Sequence, residues 1–221
     1  MKKVLVFAPH PDDEIIGVGG TIIKEIENKN EVYICIVTKG TTPLFSDEQT
    51  LITRNETLSC HTLLGVKKTF FLDFPAVMLE EEHRYEINEK ILAILAEVSP
   101  DEVYIPHYGD MQKDHQIVTD SCMVALRPKY SSSPKRIFIY ETLSETGWNI
   151  PNINNEFIPN RFVDISIFLE KKLNALNIYK SQLSVFPNAR SIESVTALAK
   201  FRGTLMNMQA AEAFMVVREI E

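Results

Sequence analysis

Short apolar runs of strand length alternate with longer stretches of helical periodicity along most of this chain. Val4 to Ala8 is a continuous apolar run that reads as a buried strand. It ends in Pro9-His10-Pro11, which can neither continue a strand nor open a helix interior. Gly17, Gly19 and Gly20 then open a helix through Glu27. Glu31 to Thr38, with Val32, Ile34, Ile36 and Val37, predicts a second strand that ends in the loop Lys39 to Pro43. Ser46-Asp47-Glu48-Gln49 is a capped helix start, and the helix runs through Leu51, Arg54, Leu58 and Leu63 to a glycine stop at Gly65. Lys68 to Leu72 predicts a third strand, closing in Asp73-Phe74-Pro75, and residues 76 to 86 read as an acidic loop.

Ile87, Ile91, Leu92, Ile94, Leu95 and Val98 form the apolar face of the next helix. Glu102 to Ile105 predicts a fourth strand, ended by Pro106, and a helix follows from about Asp114 to Leu126. Pro128 and Ser131 to Pro134 read as a loop, and Arg136 to Tyr140 as a fifth strand. Residues 149 to 160, rich in Asn and Pro, read as a surface loop. Arg161 to Asp164 is a short strand. Helical stretches lie near Phe168 to Tyr179 and Ile192 to Asn207, and Ala213 to Arg218 is a last strand that could close the sheet.

Strands alternating with helices predict one α/β domain whose mostly parallel sheet carries helices on both faces. In such a sheet the first and fourth strands are neighbours where the strand order reverses, and ligands bind in the crevice outside their carboxyl ends. The length, 221 residues, suits one domain, and no repeat, low-complexity tract or linker divides it. A net charge of −7 argues against nucleic acid or an anionic membrane as partner. Cys35, Cys60 and Cys122 have no paired spacing, which fits a reducing cytoplasm better than a disulfide scaffold. The apolar run after Met1-Lys2-Lys3 is too short for a signal peptide, and no run approaches the ~18 apolar residues of a membrane helix.

The chemistry concentrates on two turns at that carboxyl edge. After the first strand come His10, Asp12, Asp13 and Glu14. Imidazole with carboxylate suits zinc and similar divalent ions. His10 and Asp13, three apart in a tight turn, can face one point, leaving Asp12 beside a metal and free to take a proton from a water. The competing reading is that these acids only cap the helix; prolines on both sides of His10 favour a ligand. After the fourth strand comes His107-Tyr-Gly-Asp-Met-Gln-Lys-Asp-His115. The strand order carries His115 toward His10 and Asp13, completing a three-ligand set with room for water, where it could otherwise be a solvent-facing histidine at a helix start.

Pro9-His-Pro-Asp-Asp-Glu14, the Asp114-His115 pair, Arg54 with Glu56, Arg202-Gly203 and Ala211-Glu-Ala-Phe214 resemble the PIG-L/LmbE-like zinc-dependent de-N-acetylases. The resemblance runs over nearly the whole chain. It implies a Rossmann-like fold, one zinc per chain on His10, Asp13 and His115, Asp12 as general base, and Arg54 as a substrate contact. It further implies a small-molecule substrate, an N-acetylglucosamine-type sugar conjugate that loses its acetyl group. The family's second motif is usually His-x-Asp-His, and Gln112 stands at its first position here. A glutamine can donate a hydrogen bond to an oxyanion but cannot deliver a proton. His107, on the same turn, could supply the acid or could be an ordinary core or loop histidine. Lys113 is a weaker substitute.

The loop from Glu141 to Trp148 is a candidate pocket wall. Tyr140 and Glu141 sit where they could reach the site, and Trp148 could stack on a sugar face or simply pack. Two other functions share the architecture. A nucleotide-binding oxidoreductase is disfavoured because Gly17-Val-Gly-Gly20 lacks the G-x-G-x-x-G spacing. A metal- and sugar-binding protein with impaired catalysis stays open because of Gln112. A homo-oligomer is compatible with the sequence.

Overall fold

The computed structural model describes residues 1–129 and 133–221, so the loop expected at Ser131 to Pro134 lies partly outside the described residues. Seven strands form one sheet in the order β3-β2-β1-β4-β5-β7-β6. They are β1 (Lys3–Ala8), β2 (Glu31–Lys39), β3 (Lys68–Pro75), β4 (Glu102–Pro106), β5 (Arg136–Tyr140), β6 (Arg161–Asp164) and β7 (Ala211–Glu219). The first five pair in parallel, while β7 runs antiparallel to both β5 and β6. The last strand therefore does not close an edge; it slots in between β5 and β6.

The helices are α1 (Asp13–Glu27), α2 (Asp47–Leu64), α3 (Arg84–Val98), α4 (Lys113–Ala125), α5 (Leu169–Leu176) and α6 (Ile192–Thr204). Alternation along β1 creates two cores. Val4, Val6 and Ala8 point to the face covered by α1, α2, α5 and α6, whereas Leu5 and Phe7 point to the face covered by α3 and α4. Ser46 and Gln49 form the reciprocal capping box expected for α2, and Gly65 ends that helix at φ 86°. The loops at 76–86 and 149–160 each hold a short 3-10 turn, Leu79–Glu81 and Ile153–Asn155. Helix α5 stops short of Tyr179 because that residue turns inward, its hydroxyl donating to Glu14. Helix α6 stops at Thr204 because the Gly203 carbonyl is taken by the amides of Met206 and Met208. No described helix is long and apolar enough to cross a membrane.

Helix α1, which carries the first motif, is held against the sheet by two devices. A Cβ on Gly17 would lie 2.3 Å from the Tyr140 ring and 2.9 Å from the Glu141 carbonyl, so only glycine permits this approach. In mid-helix, Glu212 of β7 accepts from the amides of Gly20 and Thr21, both at 2.7 Å. Lys172 of α5 donates to Glu212 and to the Ile16 carbonyl, also at 2.7 Å. This ion pair is buried, and each partner has further hydrogen bonds, the condition under which burying two charges is tolerable.

Candidate metal centre and its cleft

The turn after β1 is pinned from both sides. The Pro9 carbonyl accepts from the Thr38 amide at 3.0 Å and the Thr38 hydroxyl at 2.7 Å. Beyond it, Asp12 sits at φ 103°, a region costly for a non-glycine residue. Its amide donates to Glu14 at 3.1 Å, and Glu14 is in turn held by Tyr179 at 2.5 Å and by His61 at 3.1 Å. Asp12 occupies the N-cap of α1, yet its carboxylate makes no capping hydrogen bond. A helix-capping role therefore does not account for it.

His10, Asp13 and His115 meet at the boundary of β1 and β4. His10 directs Nε2 at Asp114 (2.9 Å) and Nδ1 toward Asp13 (3.2 Å). His115 directs Nδ1 at Asp110 (2.8 Å) and Nε2 toward Asp13 (3.3 Å). In each ring the carboxylate partner takes one nitrogen and leaves the other aimed at a common point, where its lone pair is available once the ring is neutral. Those two inward nitrogens and the second Asp13 oxygen are buried without a hydrogen-bond partner. One ligand atom from each of the three residues can be chosen so that all lie within 4.8 Å of one another. Ligands about 2.0–2.2 Å from a tetrahedral metal stand roughly 3.3 Å apart, so the three side chains fit such an ion.

The electrostatics agree with a cation site. Burial alone would lower His115, but Asp13 and Asp110 outweigh it and push the imidazole up to about 10. His10 is raised in the same way, against its burial, by Asp114 and Asp13. Burial pushes Asp13 up, but His115 and His10 win and hold it well below the carboxylate range. Protons thus collect on the two histidines where a cation would otherwise satisfy the carboxylate. Asp12 behaves oppositely: burial raises it well above its ordinary value, Arg190 pulls it down, and Asp13 and Glu14 push it further up.

The centre opens into a cleft of about 640 Å³. Of the residues singled out in the sequence, Gln112, Arg54 and Trp148 line it together with His10. Arg54 lies 3.9 Å above the Phe71 ring and pairs with Asp73, and Trp148 is 73% exposed at the rim. His107 and Glu141 are not brought there. The His107 ring is fully buried between Tyr108 and Phe157, with Nε2 on the Asn155 carbonyl at 3.1 Å. Glu141 forms a two-pronged ion pair with Arg202, at 2.8 and 2.7 Å, behind α1. Tyr140 is buried too, its hydroxyl donating to the Phe7 carbonyl at 2.9 Å.

Two cleft residues escaped the sequence reading. Arg190 places Nη1 3.2 Å from Asp12 and Nη2 3.8 Å from Asp13. It lies in an irregular loop before α6, and no periodicity or motif marks it. Glu145 stands in the expected wall segment, but nothing in its type or spacing distinguished it from Glu141. Asp110 was one acid among several on the second turn; its spacing of five from His115 is the signal that could have found it.

Residues 5–126 match the PIG-L family, described as GlcNAc-PI de-N-acetylase. The chain is 28% identical over 194 residues to diacetylchitobiose deacetylase of Thermococcus kodakarensis, covering 82% of this chain and 70% of that one. It is 26% identical over 195 residues to "Probable N-acetyl-alpha-D-glucosaminyl L-malate deacetylase 2" of Bacillus anthracis, covering 83% and 82%. Among solved structures, N,N'-diacetylchitobiose deacetylase from Pyrococcus horikoshii superposes with a TM-score of 0.78 at 27% identity, covering 98% of this chain and 84% of that one.

Proposed function

The chain belongs to the PIG-L family, and on that premise we propose that it is a zinc-dependent N-deacetylase acting on N-acetylglucosamine-type sugar conjugates. The observation that carries this reading is the convergence of two inward imidazole nitrogens and one Asp13 oxygen, all buried without a hydrogen-bond partner, beside a cleft that His10 lines. The relatives named as deacetylases of acetylated sugars supply the substrate class. A single deacetylase domain spans residues 1–221. Its three cysteines, all free and buried, support the cytoplasm as its compartment.

His10, Asp13 and His115 would hold one zinc ion. When bound, it supplies Lewis acidity toward the acetyl carbonyl and acidifies the attacking water. Asp12, with both oxygens free of hydrogen bonds, takes the proton of that water. Burial suits it to this task, because a carboxylate raised toward neutrality is a stronger base. Arg190, which lines the cleft, limits the rise and pairs with the Asp12 carboxylate at 3.2 Å. Gln112, on the cleft wall, can donate its amide to the developing oxyanion. Arg54 and Trp148 are the sugar-binding candidates farther along the cleft. Glu141, committed to Arg202, is withdrawn from that role, and the position of His107 gives it no route to a leaving group.

The test is acetate release from a panel of N-acetylglucosaminides, with metal content measured on the same protein. Stoichiometric metal with acetate release supports the reading. Bound metal with no release from any substrate would favour the second reading, a metal- and sugar-binding protein with impaired catalysis, for which Gln112 in place of a proton donor is the specific observation.

A further inference from the structure

We propose that Glu145 is the acid of this reaction, the group that hands a proton to the leaving sugar amine; the assignment rests on the deacetylase reading above. The site needs such a group, because a glutamine stands at position 112 and His107 is turned away. Lys113 is no substitute, since its ammonium donates to Gln116 at 2.8 Å. Among the described residues that line the cleft, Glu145 is the one carboxylic acid. It makes no ion pair among the described residues, and its carboxyl accepts only the Ser144 hydroxyl, at 3.3 Å. The neighbouring acids are committed elsewhere: Asp110 and Asp114 to the two histidines, and Glu141 to Arg202.

The position of Glu145 is keyed to both halves of the centre. Its carbonyl accepts from Met111 at 3.4 Å and from Trp148 at 3.3 Å, and its amide donates to Thr142 at 3.1 Å. The next residue, Thr146, donates to Asp110 at 2.6 Å, and the other Asp110 oxygen holds His115. The preceding residue, Ser144, accepts from Arg190 Nε at 3.2 Å, while Arg190 Nη1 pairs with Asp12. The proposed base and the proposed acid are thus tied to one guanidinium. Burial raises the Glu145 carboxyl above its ordinary value, Asp13 and Asp110 add to the rise, and His115 and Arg190 oppose it without cancelling it.

The step balances without a further reactant. The water oxygen bonds to the acetyl carbon while Asp12 takes one water proton. The C–N bond then breaks, its electron pair stays on nitrogen, and nitrogen takes the Glu145 proton. Acetic acid and the free amine leave, the acid ionises to acetate, Asp12 releases its proton to solvent, and Glu145 regains one.

The experiment compares metal-loaded wild type, Glu145→Gln and Glu145→Asp on an N-acetylglucosaminide across pH. Metal content is measured on the same samples, and carboxyl stretching bands are followed by infrared difference spectroscopy. Glu145→Gln is expected to keep its metal, lose about 10²–10⁴ in kcat with little change in KM, and lose the alkaline limb of the kcat profile. It should also lack a protonated-carboxyl band that the wild type shows near neutrality. Glu145→Asp, shorter by one methylene, should keep part of the rate and keep the limb. The proposal is overturned if Glu145→Gln turns over like wild type with its limb intact, or if it sheds its metal. It is equally overturned if Glu145→Gln does not fold and Glu145→Asp has wild-type kinetics. A wild type that releases no acetate from any substrate removes the deacetylase reading and this assignment together, whereas normal wild-type turnover with an indifferent Glu145→Gln removes only the acid.

Discussion

Replacing Asp110 by Asn isolates what a carboxylate behind a ligand contributes to the centre. Asp110 is fully buried and accepts from His115 Nδ1 at 2.8 Å and from the Thr146 hydroxyl at 2.6 Å. Asparagine has the same shape and keeps an acceptor oxygen for His115, so the ring should hold its orientation. What is lost is the negative charge that, with Asp13, makes the imidazole basic. Loss of a carboxylate behind a metal-binding histidine costs on the order of 10–100-fold in metal affinity. That is about 1.4–2.8 kcal/mol, since each tenfold is about 1.4. The assay is competition for zinc against a chromogenic chelator at fixed pH, alongside an NMR titration of His115 in metal-free protein. Both readings should move together: weaker zinc and a His115 pKa lower than in wild type. The same affinity as wild type, or a lower affinity with an unchanged His115 titration, would refute the idea that Asp110 acts through the basicity of that ring.

Asp12→Asn should keep its metal and lose about 10²–10⁴ in kcat, because it removes the base without removing a ligand; loss of zinc in that variant would mean that the two aspartates have exchanged roles. Glu212→Gln strands the buried Lys172 ammonium and should cost about 3–5 kcal/mol, read as a lower midpoint in urea or heat; Glu212→Gln with Lys172→Met should recover much of it. In metal-free protein His115 has a folded pKa of about 10 against about 6.5 when unfolded, so its stabilisation is complete below about pH 6.5 and lost as pH rises toward 10. Thermal melts of metal-free protein should therefore fall over that range while the increment from added zinc grows, because metal and proton compete for the same nitrogens.

The fold was legible because its determinants are local and repetitive. Strands β1, β2 and β4 are buried on both faces, so they appear as unbroken apolar runs, and proline or glycine closes several of them. The capping box at Ser46 and the glycine stop at Gly65 carried the ends of α2. Strand β7 was harder. Its extent and apolar content could be read, but its insertion between β5 and β6 depends on the side of β5 left unpaired, which no pattern within residues 211–219 encodes. The short reach of α5 was hidden for a related reason. Tyr179 fits a helical stripe, and its withdrawal depends on Glu14, 165 residues away in sequence.

The centre divides along the same line. Ligands on the turn after β1 are three residues apart, and His115 joins them because neighbouring parallel strands place their following turns side by side. Strand order alone thus reaches the three metal-binding candidates. It does not reach the groups that set their chemistry. Arg190 meets Asp12 from a loop 178 residues downstream, Glu145 faces the cleft from a segment in which Glu141 reads equally well, and the fates of Glu141 and His107 depend on Arg202 and on Asn155. Each of these is a pairing between a charged or polar side chain and a partner supplied by an irregular segment, where neither period nor register constrains direction. Such pairings nevertheless decide which carboxylate is free to act. Glu141 is neutralised by a two-pronged arginine, while Glu145, four residues on and without an ion pair among the described residues, lines the cleft with its carboxyl uncommitted.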